Sequence, residues 1–311
     1  MTNAVLFTVT GSYVQLTGTA IASLCDHLPL QTELKVLVMA DEILPADIYW
    51  LKEIPERFGH LRVSVDVWQK PPIMAQVHPA YQSERFPPVT LWRLFAPFIF
   101  PQYNRLLYMD NDVLIQDDIL PMFSLLRPNS IVGAVNDFQS FIYAGQPEGS
   151  IWAEVKHFDR YFNAGVLLID PAQYIEAFTQ EQLVAAANTS PYLFLDQTIL
   201  NNLVGKRITY LPMQYNYQMD DAWLTTFAQP RNPKHAEKIQ EARQHVVIVT
   251  SSLPKRWPHP GSTAWSKMNS NGHFGKPSPV SNCSDGPFHL KRSRDSPTGW
   301  SRTPCFFISL I

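Results

Sequence analysis

RLLYMDNDVLI, residues 105–115, runs four apolar or aromatic residues, Leu106 to Met109, straight into Asp110-Asn111-Asp112. It resumes at once with Val113, Leu114 and Ile115. A short apolar run of this kind reads as a buried strand. In open α/β sheets, ligands bind beyond the carboxyl ends of the strands, so the acidic pair stands where chemistry is done. Alternate residues of an extended segment point the same way, and Asp110 and Asp112 would then face one cation, directly or through water. Hard oxygen ligands suit Mg²⁺ or Mn²⁺, and such a metal would neutralise a diphosphate and help it depart. The structural alternative is an acidic turn that caps the next segment. The apolar flanks weigh against it, because a carboxylate in a buried approach is costly without a cation or hydrogen bonds.

Working outward, short apolar runs alternate with helical patterns. AVLFTV (4–9), LKVLVMA (34–40), LRVSVDVW (61–68), SIVGAV (130–135) and GVLLI (165–169) read as further strands. Leu16, Ala20, Leu24 and Leu28 fall at helical spacing after the first. Asp170-Pro171 is a helix start, an N-cap followed by proline at the first helical position. The fold class expected is α/β: a Rossmann-like, mostly parallel sheet with helices on both faces.

The 311 residues, 45% hydrophobic, suffice for one large α/β domain or two ordinary ones. Cys25, Cys283 and Cys305 are odd in number and widely spaced, which suggests neither a disulfide framework nor a zinc site. A reducing, cytoplasmic compartment is the expectation, and Met1-Thr2-Asn3 lacks the basic start of a secretory signal. A net charge of −2 proposes no nucleic-acid partner. No apolar run reaches the ~20 residues of a membrane helix. The expected division is a domain over residues 1–265 and an irregular Pro/Ser/Gly-rich basic tail over 266–311 that ends in FFISLI (306–311). Three readings of that tail stand open: a poorly ordered end, a shifted reading frame, or a basic-plus-apolar patch that contacts a membrane peripherally, at its inner face.

Three stretches, TLWRLFAPFIFPQYNRLLYMDNDVLI (90–115), RYFNAGVLLID (160–170) and FLDQTILNNL (194–203), change the weight of the acidic pair. In this order and spacing they resemble the family 8 glycosyltransferases, over about residues 4 to 265. The resemblance implies a GT-A fold. It also implies retaining transfer of a hexose, glucose or galactose, from a UDP-sugar to an acceptor hydroxyl on a surface glycan or glycolipid, with Mn²⁺ as the usual metal. Asp110 and Asp112 match the metal-binding Asp-X-Asp, with Asn111 between them. Arg93 matches an arginine near the donor; a surface salt bridge is the plain alternative. Asp137 matches an acidic residue near the donor sugar. Asn163, Ala164 and Gly165 match FNAGV; a structural turn is their plain alternative. Asp196 and Gln197 match a pair facing the reacting sugar, although an aspartate opening a helix is also a good N-cap. Thr8 and Tyr13 fall on the nucleotide side, Tyr13 in line with an aromatic that stacks on uracil. Lys255 fits a lysine that holds the diphosphate.

The chain departs from that pattern at two places. Thr10 stands where the family commonly has an aspartate near the uracil-ribose end. In VTSSLPKRW (249–257), Lys255 and Trp257 fit, but Val249 occupies the position of the third metal ligand, a histidine, and Ser252 that of a glycine. His245 lies four residues earlier, about 13 Å along a strand at ~3.3 Å per residue, and His259 reads as a loop histidine. Two other classes compete: a UDP-sugar-binding relic without turnover, motivated by Val249 and Thr10, and a haloacid-dehalogenase-like phosphatase. The phosphatase motif normally opens its domain, and here some hundred residues precede it.

Overall fold

Seven buried runs line up as one sheet in a computed structural model that describes residues 2–250 apart from 80–86, 145–154, 156, 191 and 193. The strands are β1 Asn3–Thr10, β2 Leu34–Asp41, β3 Val63–Gln69, β4 Arg105–Met109, β6 Val132–Asn136, β7 Phe162–Ile169 and β8 Ile208–Tyr210, in the order β3-β2-β1-β4-β7-β6-β8. Two short strands, β5 Val113–Ile115 and β9 Ile248–Thr250, form a separate antiparallel pair. The helices that matter below are α1 Val14–His27, α2 Pro45–Arg57, α3 Ala96–Ile99, α4 Phe138–Tyr143, α5 Pro171–Ala177, α6 Gln180–Thr189 and α7 Leu195–Val204.

Strand β1 shows why its residues read as a continuous apolar run. Val5, Phe7 and Val9 join one core with Ile21 and Leu24 of α1 and Leu51 and Ile54 of α2. Ala4 and Leu6 join a second core with Tyr174 of α5, Leu183 of α6 and Ile199 of α7. Side chains alternate across a strand, so a sheet covered on both faces has no polar side to show.

Strand β7 alone runs against its neighbours. It is antiparallel to β4 and to β6, whereas β1, β2, β3 and β4 pair in parallel, as do β6 and β8. The consequence is local. The beginning of β7 lies at the carboxyl ends of the other strands: Met109 pairs with Val166, the Asp110 N–H donates to the Gly165 carbonyl at 2.7 Å, and Asn136 pairs with Phe162. Residues from the end of β4, the end of β6 and the start of β7 are thereby gathered at one place.

The α/β sheet with helices on both faces is present. Asp170 caps α5 by accepting from the Gln173 N–H at 3.0 Å, with Pro171 at the first helical position. The strand expected at 165–169 begins at Phe162, so Asn163 to Gly165 lie inside it and are not a turn. Asn111 and Asp112 form a turn between β4 and β5. The same-side argument for Asp110 and Asp112, which needed an extended segment, therefore does not apply; the break arises because β5 leaves the main sheet to pair with β9. The boundary at 265, the tail, Lys255, Ser252, Trp257, His259, Cys283 and Cys305 lie outside the described residues. Among the described residues no helix is long and apolar enough to cross a membrane. Cys25 is buried and free, and burial pushes its thiol up to about 12, which keeps it protonated and inert.

Helices α1 and α2 meet at Gly18, where a Cβ would come within 2.0 Å of the Trp50 ring. Gly18→Ala is expected to force the helices apart and lower stability by about 1–3 kcal/mol. Urea denaturation followed by tryptophan fluorescence measures this; an unchanged midpoint would contradict the close packing.

Candidate active site

Arg93 sits in a 3-10 stretch, Pro88–Leu94, entered through Pro87 and Pro88, in which every residue from Val89 to Leu94 is buried. At 4% exposure its guanidinium cannot be met by water, so the protein must supply the partners. Nη2 lies 2.8 Å from Asp110 Oδ1. Nε, which also donates to the Thr90 carbonyl at 2.9 Å, lies 3.1 Å from Asp196 Oδ2. Nη1 donates to the Ala164 carbonyl. The guanidinium further stacks over the Tyr108 ring, 4.3 Å from its centroid. Burial opposes the charge, but Asp110 and Asp196 outweigh it and hold the group above its ordinary pKa. The surface salt bridge considered for Arg93 is replaced by a buried one.

Tyr108 works on the same carboxylate. Its burial pushes the phenol well above its ordinary pKa, against the opposing pull of Arg93, so the hydroxyl keeps its proton. That proton is donated to Asp110 Oδ1 at 2.7 Å. The Thr8 hydroxyl, 3.2 Å away, must then donate to Tyr108. Thr8 is 5% exposed and reaches the site through this phenol. Gly165 supplies the room: a Cβ there would stand 3.1 Å from Asp110 Oδ2 and 2.9 Å from Asn163 Oδ1.

Helix α7 brings the other half. It is entered through Leu195 at φ 35°, a conformation strained for a residue with a side chain. Its N-cap position is Phe194, with no side-chain cap. The capping alternative for Asp196 does not hold: the residue lies inside the first turn, where it pairs with Arg93. Gln197 accepts the Ala164 N–H on Oε1 at 3.0 Å. A backbone N–H can only donate, so the amide orientation is settled and Nε2 faces Asp137 Oδ2 at 3.4 Å. Asn163 Nδ2 reaches the same oxygen at 3.4 Å. Both contacts are longer than the ~2.7–3.2 Å of an ordinary N–H···O bond. Asp137 caps α4, its Oδ1 accepting from the Ser140 N–H at 2.9 Å. Asn201, one turn beyond Gln197, pins α7 to β7 by exchanging two bonds of 2.9 Å with the Phe162 backbone.

The structure thus brings Arg93, Asp110, Asn163, Ala164, Gly165, Asp196, Gln197 and Asp137 together. Asn111 is half-buried in the adjoining turn, and Asp112 follows it with Oδ1 out of contact with solvent. Tyr13 closes the turn after β1 and packs half-buried against the first core. A cavity of about 340 Å³ lies near the carboxyl ends of β2 and β3, lined by Asp41, Lys70, Met74, Val77, His78 and Trp92. Val249 pairs with Leu114 in the strand that leaves Asp112. Its side chain packs against the first core and offers no metal ligand. His245 is exposed in the turn before β9. Among the described residues no three His, Cys, Asp or Glu side chains converge as a metal site. The Asp110–Asp112 pair still suits a hard divalent cation as two of its ligands: both are oxygen donors, and Gly165 leaves space against Asp110 Oδ2.

Tyr108, Asn201, Asn216 and Thr250 were not anticipated. Tyr108 had a signal, since it stands two residues before Asp110 in a strand and alternation puts both on one side. Asn201 had one too, four residues after Gln197 on one helix face.

A mostly parallel sheet with one reversed strand, and acidic and amide side chains gathered at its carboxyl edge, defines a GT-A glycosyltransferase fold. Solved structures agree. The galactosyltransferase LgtC, in complex with donor and acceptor sugar analogues, superposes with a TM-score of 0.60 at 20% identity, covering 86% of this chain and 94% of that one. The bifunctional glycosyltransferase WbbM does so with 0.69 at 21%, covering 81% of this chain and 46% of that one. Residues 4–249 match the profile of Glycosyl transferase family 8, and the chain belongs to that family. Galactinol synthase 1 of Arabidopsis thaliana is 23% identical over 248 residues, 71% of this chain and 64% of its own length. Lipopolysaccharide 1,2-glucosyltransferase of Escherichia coli (strain K12) is 27% identical over 128 residues, 40% of this chain and 37% of its own. The chain therefore spans less than two thirds of either curated relative.

Replacing Arg93 by Met leaves the buried Asp196 and the partly buried Asp110 without their shared counter-charge, and stability should fall by about 3–5 kcal/mol. Adding Asp110→Asn and Asp196→Asn should recover part of that loss. Thermal melting of the single and triple variants tests this; a single-variant loss below about 1 kcal/mol would place the pair in the class of surface bridges.

Proposed function

We propose that this chain is a retaining hexosyltransferase that moves glucose or galactose from a UDP-sugar to an acceptor hydroxyl on a glycan or glycolipid. The observation that carries the reading is the convergence, where β4, β6 and β7 meet, of a restrained carboxylate, Asp110, with a cluster of sugar-sized hydrogen-bonding groups. Asp110 and Asp112 would hold a divalent cation, Mn²⁺ or Mg²⁺, together with the diphosphate of the donor. Such an ion, when bound, offsets the negative charge that grows on departing UDP.

The chain's own residues do the positioning. Arg93 and Tyr108 hold one oxygen of Asp110 so that its carboxylate keeps one orientation. Asp137 Oδ2, Asn163 Nδ2 and Gln197 Nε2 offer one acceptor and two donors at one point, and a sugar hydroxyl both gives and takes a proton. The long contacts among the three leave room for a hydroxyl to replace them. Gln197 gives its oxygen to the Ala164 N–H, so it meets the sugar as a donor and orients it. Tyr13 would stack on uracil, Thr8 acts through Tyr108, and Lys255 would add a positive group at the diphosphate. Holding donor and acceptor in register, more than a strong base, supplies the rate. Retention follows if the acceptor attacks on the face that UDP leaves. The cytoplasm is the proposed location, with the tail as a peripheral contact to the inner membrane face.

A second reading is favoured by one observation: Val249, which pairs with Leu114 two residues beyond Asp112, offers no ligand. A protein that binds UDP-hexose without turning it over would fit that gap. Incubation with UDP-glucose or UDP-galactose and Mn²⁺, with UDP release as the readout, separates the two. The transferase reading expects release, and Asp110→Asn or Asp112→Asn should reduce it about 100-fold or more. Binding with no release in the presence of acceptor or water supports the second reading, and undiminished release from both variants would remove the metal assignment.

A further inference from the structure

Three side chains link the far strand β9 to the sugar-facing cluster, and the direction of each bond is determined. The Gly165 N–H can only donate, and it donates to Asn163 Oδ1 at 2.8 Å. The same oxygen accepts from Asn216 Nδ2 at 2.9 Å. The Asn216 oxygen must then face the other way, and there it accepts the Thr250 hydroxyl at 2.6 Å. Asn163 Nδ2 is left pointing at Asp137. Reversing either amide would set oxygen against oxygen or donor against donor. Asn216 is completely buried, so water cannot satisfy a reversed amide.

The segment that carries Asn216 also braces the other side of Asp137. Gln218 donates from Nε2 to the Asn136 carbonyl at 2.9 Å and accepts the Phe138 N–H on Oε1 at 2.9 Å. Asp137 is thus held from both of its chain neighbours by one residue. Strand β9 itself is anchored on the acidic side, because Thr250 pairs with Val113, the residue after Asp112.

We propose that Thr250 and Asn216 are positioning residues for the hexose: a one-way hydrogen-bond chain from β9 reinforces the orientation that the Gly165 N–H gives Asn163, and couples the acidic turn to the sugar end of the site. The proposal rests on the reading of this site as a UDP-hexose site. It predicts an effect on the hexose and none on the nucleotide. A merely structural role would weaken both equally or lower thermal stability alone.

The test is calorimetric titration, with Mn²⁺ present, of UDP and of the better-bound of UDP-glucose and UDP-galactose. The protein is compared with Thr250→Val, which keeps shape and loses the hydroxyl, and with Thr250→Ser, which keeps the hydroxyl. Thr250→Val should leave the UDP affinity within two-fold and reduce the extra affinity conferred by the hexose about 5- to 10-fold. Thr250→Ser should restore it; Thr250→Val should melt somewhat lower, because the buried Asn216 oxygen loses its donor, and the ratio of the two affinities is what decides. Equal weakening of UDP and UDP-hexose, or no change in their ratio, would overturn the proposal. If the unaltered protein does not bind a UDP-hexose more tightly than UDP, the site reading itself falls and the inference goes with it.

Discussion

Arg93 is buried where β4 and β7 end and begin, and its charge has to be met there. Asp110 and Asp196 meet it from two elements far apart in the chain, and the Ala164 and Thr90 carbonyls take its remaining donors. A buried pair is weak as a source of net stability, because desolvation cancels most of the attraction. Its value here is geometric. Each partner is held at a set angle by a planar fork of donors, and the Asp110 carboxylate cannot swing away.

The reversed strand makes this gathering possible. Had β7 run with its neighbours, Asn163 to Gly165 would lie at the opposite edge of the sheet from Asp110. Reversal places Gly165 beside that carboxylate, where the missing Cβ leaves space, and places the Ala164 carbonyl under the guanidinium and its N–H under Gln197. Helix α7 is then stapled to β7 by Asn201, which fixes the amides of Asn163 and Gln197, from different elements, relative to each other.

Much of this was legible in the residues. The apolar runs marked their strands to within a few positions because a sheet covered on both faces tolerates no polar interruption. Asp170-Pro171 marked its helix because capping chemistry is local. The acidic pair and the FNAG and DQ pieces were recognisable together. Strand direction was not legible, since nothing in FNAGVLLI says which way it runs, and so the meeting of Asn163 with Asp110 could not be derived. The ion pair of Asp196 with Arg93 was not legible, because the two lie about a hundred residues apart in the chain. Thr250 and Asn216 carry no local signal at all, since their meaning arises only when β9 pairs with β5. The departure at Val249 was visible in the sequence, and the residue pairs with Leu114 in β5.

The central claim is that a divalent cation and a nucleotide diphosphate share the Asp110–Asp112 turn while Arg93 keeps Asp110 in place. The most direct measurement is anomalous scattering from crystals grown with UDP and Mn²⁺. The account predicts a manganese peak within bonding distance of both carboxylates and of the diphosphate, with Arg93 still against Asp110 and Asp196. A peak elsewhere, or bound UDP with Asp110 and Asp112 turned to open solvent, would contradict it.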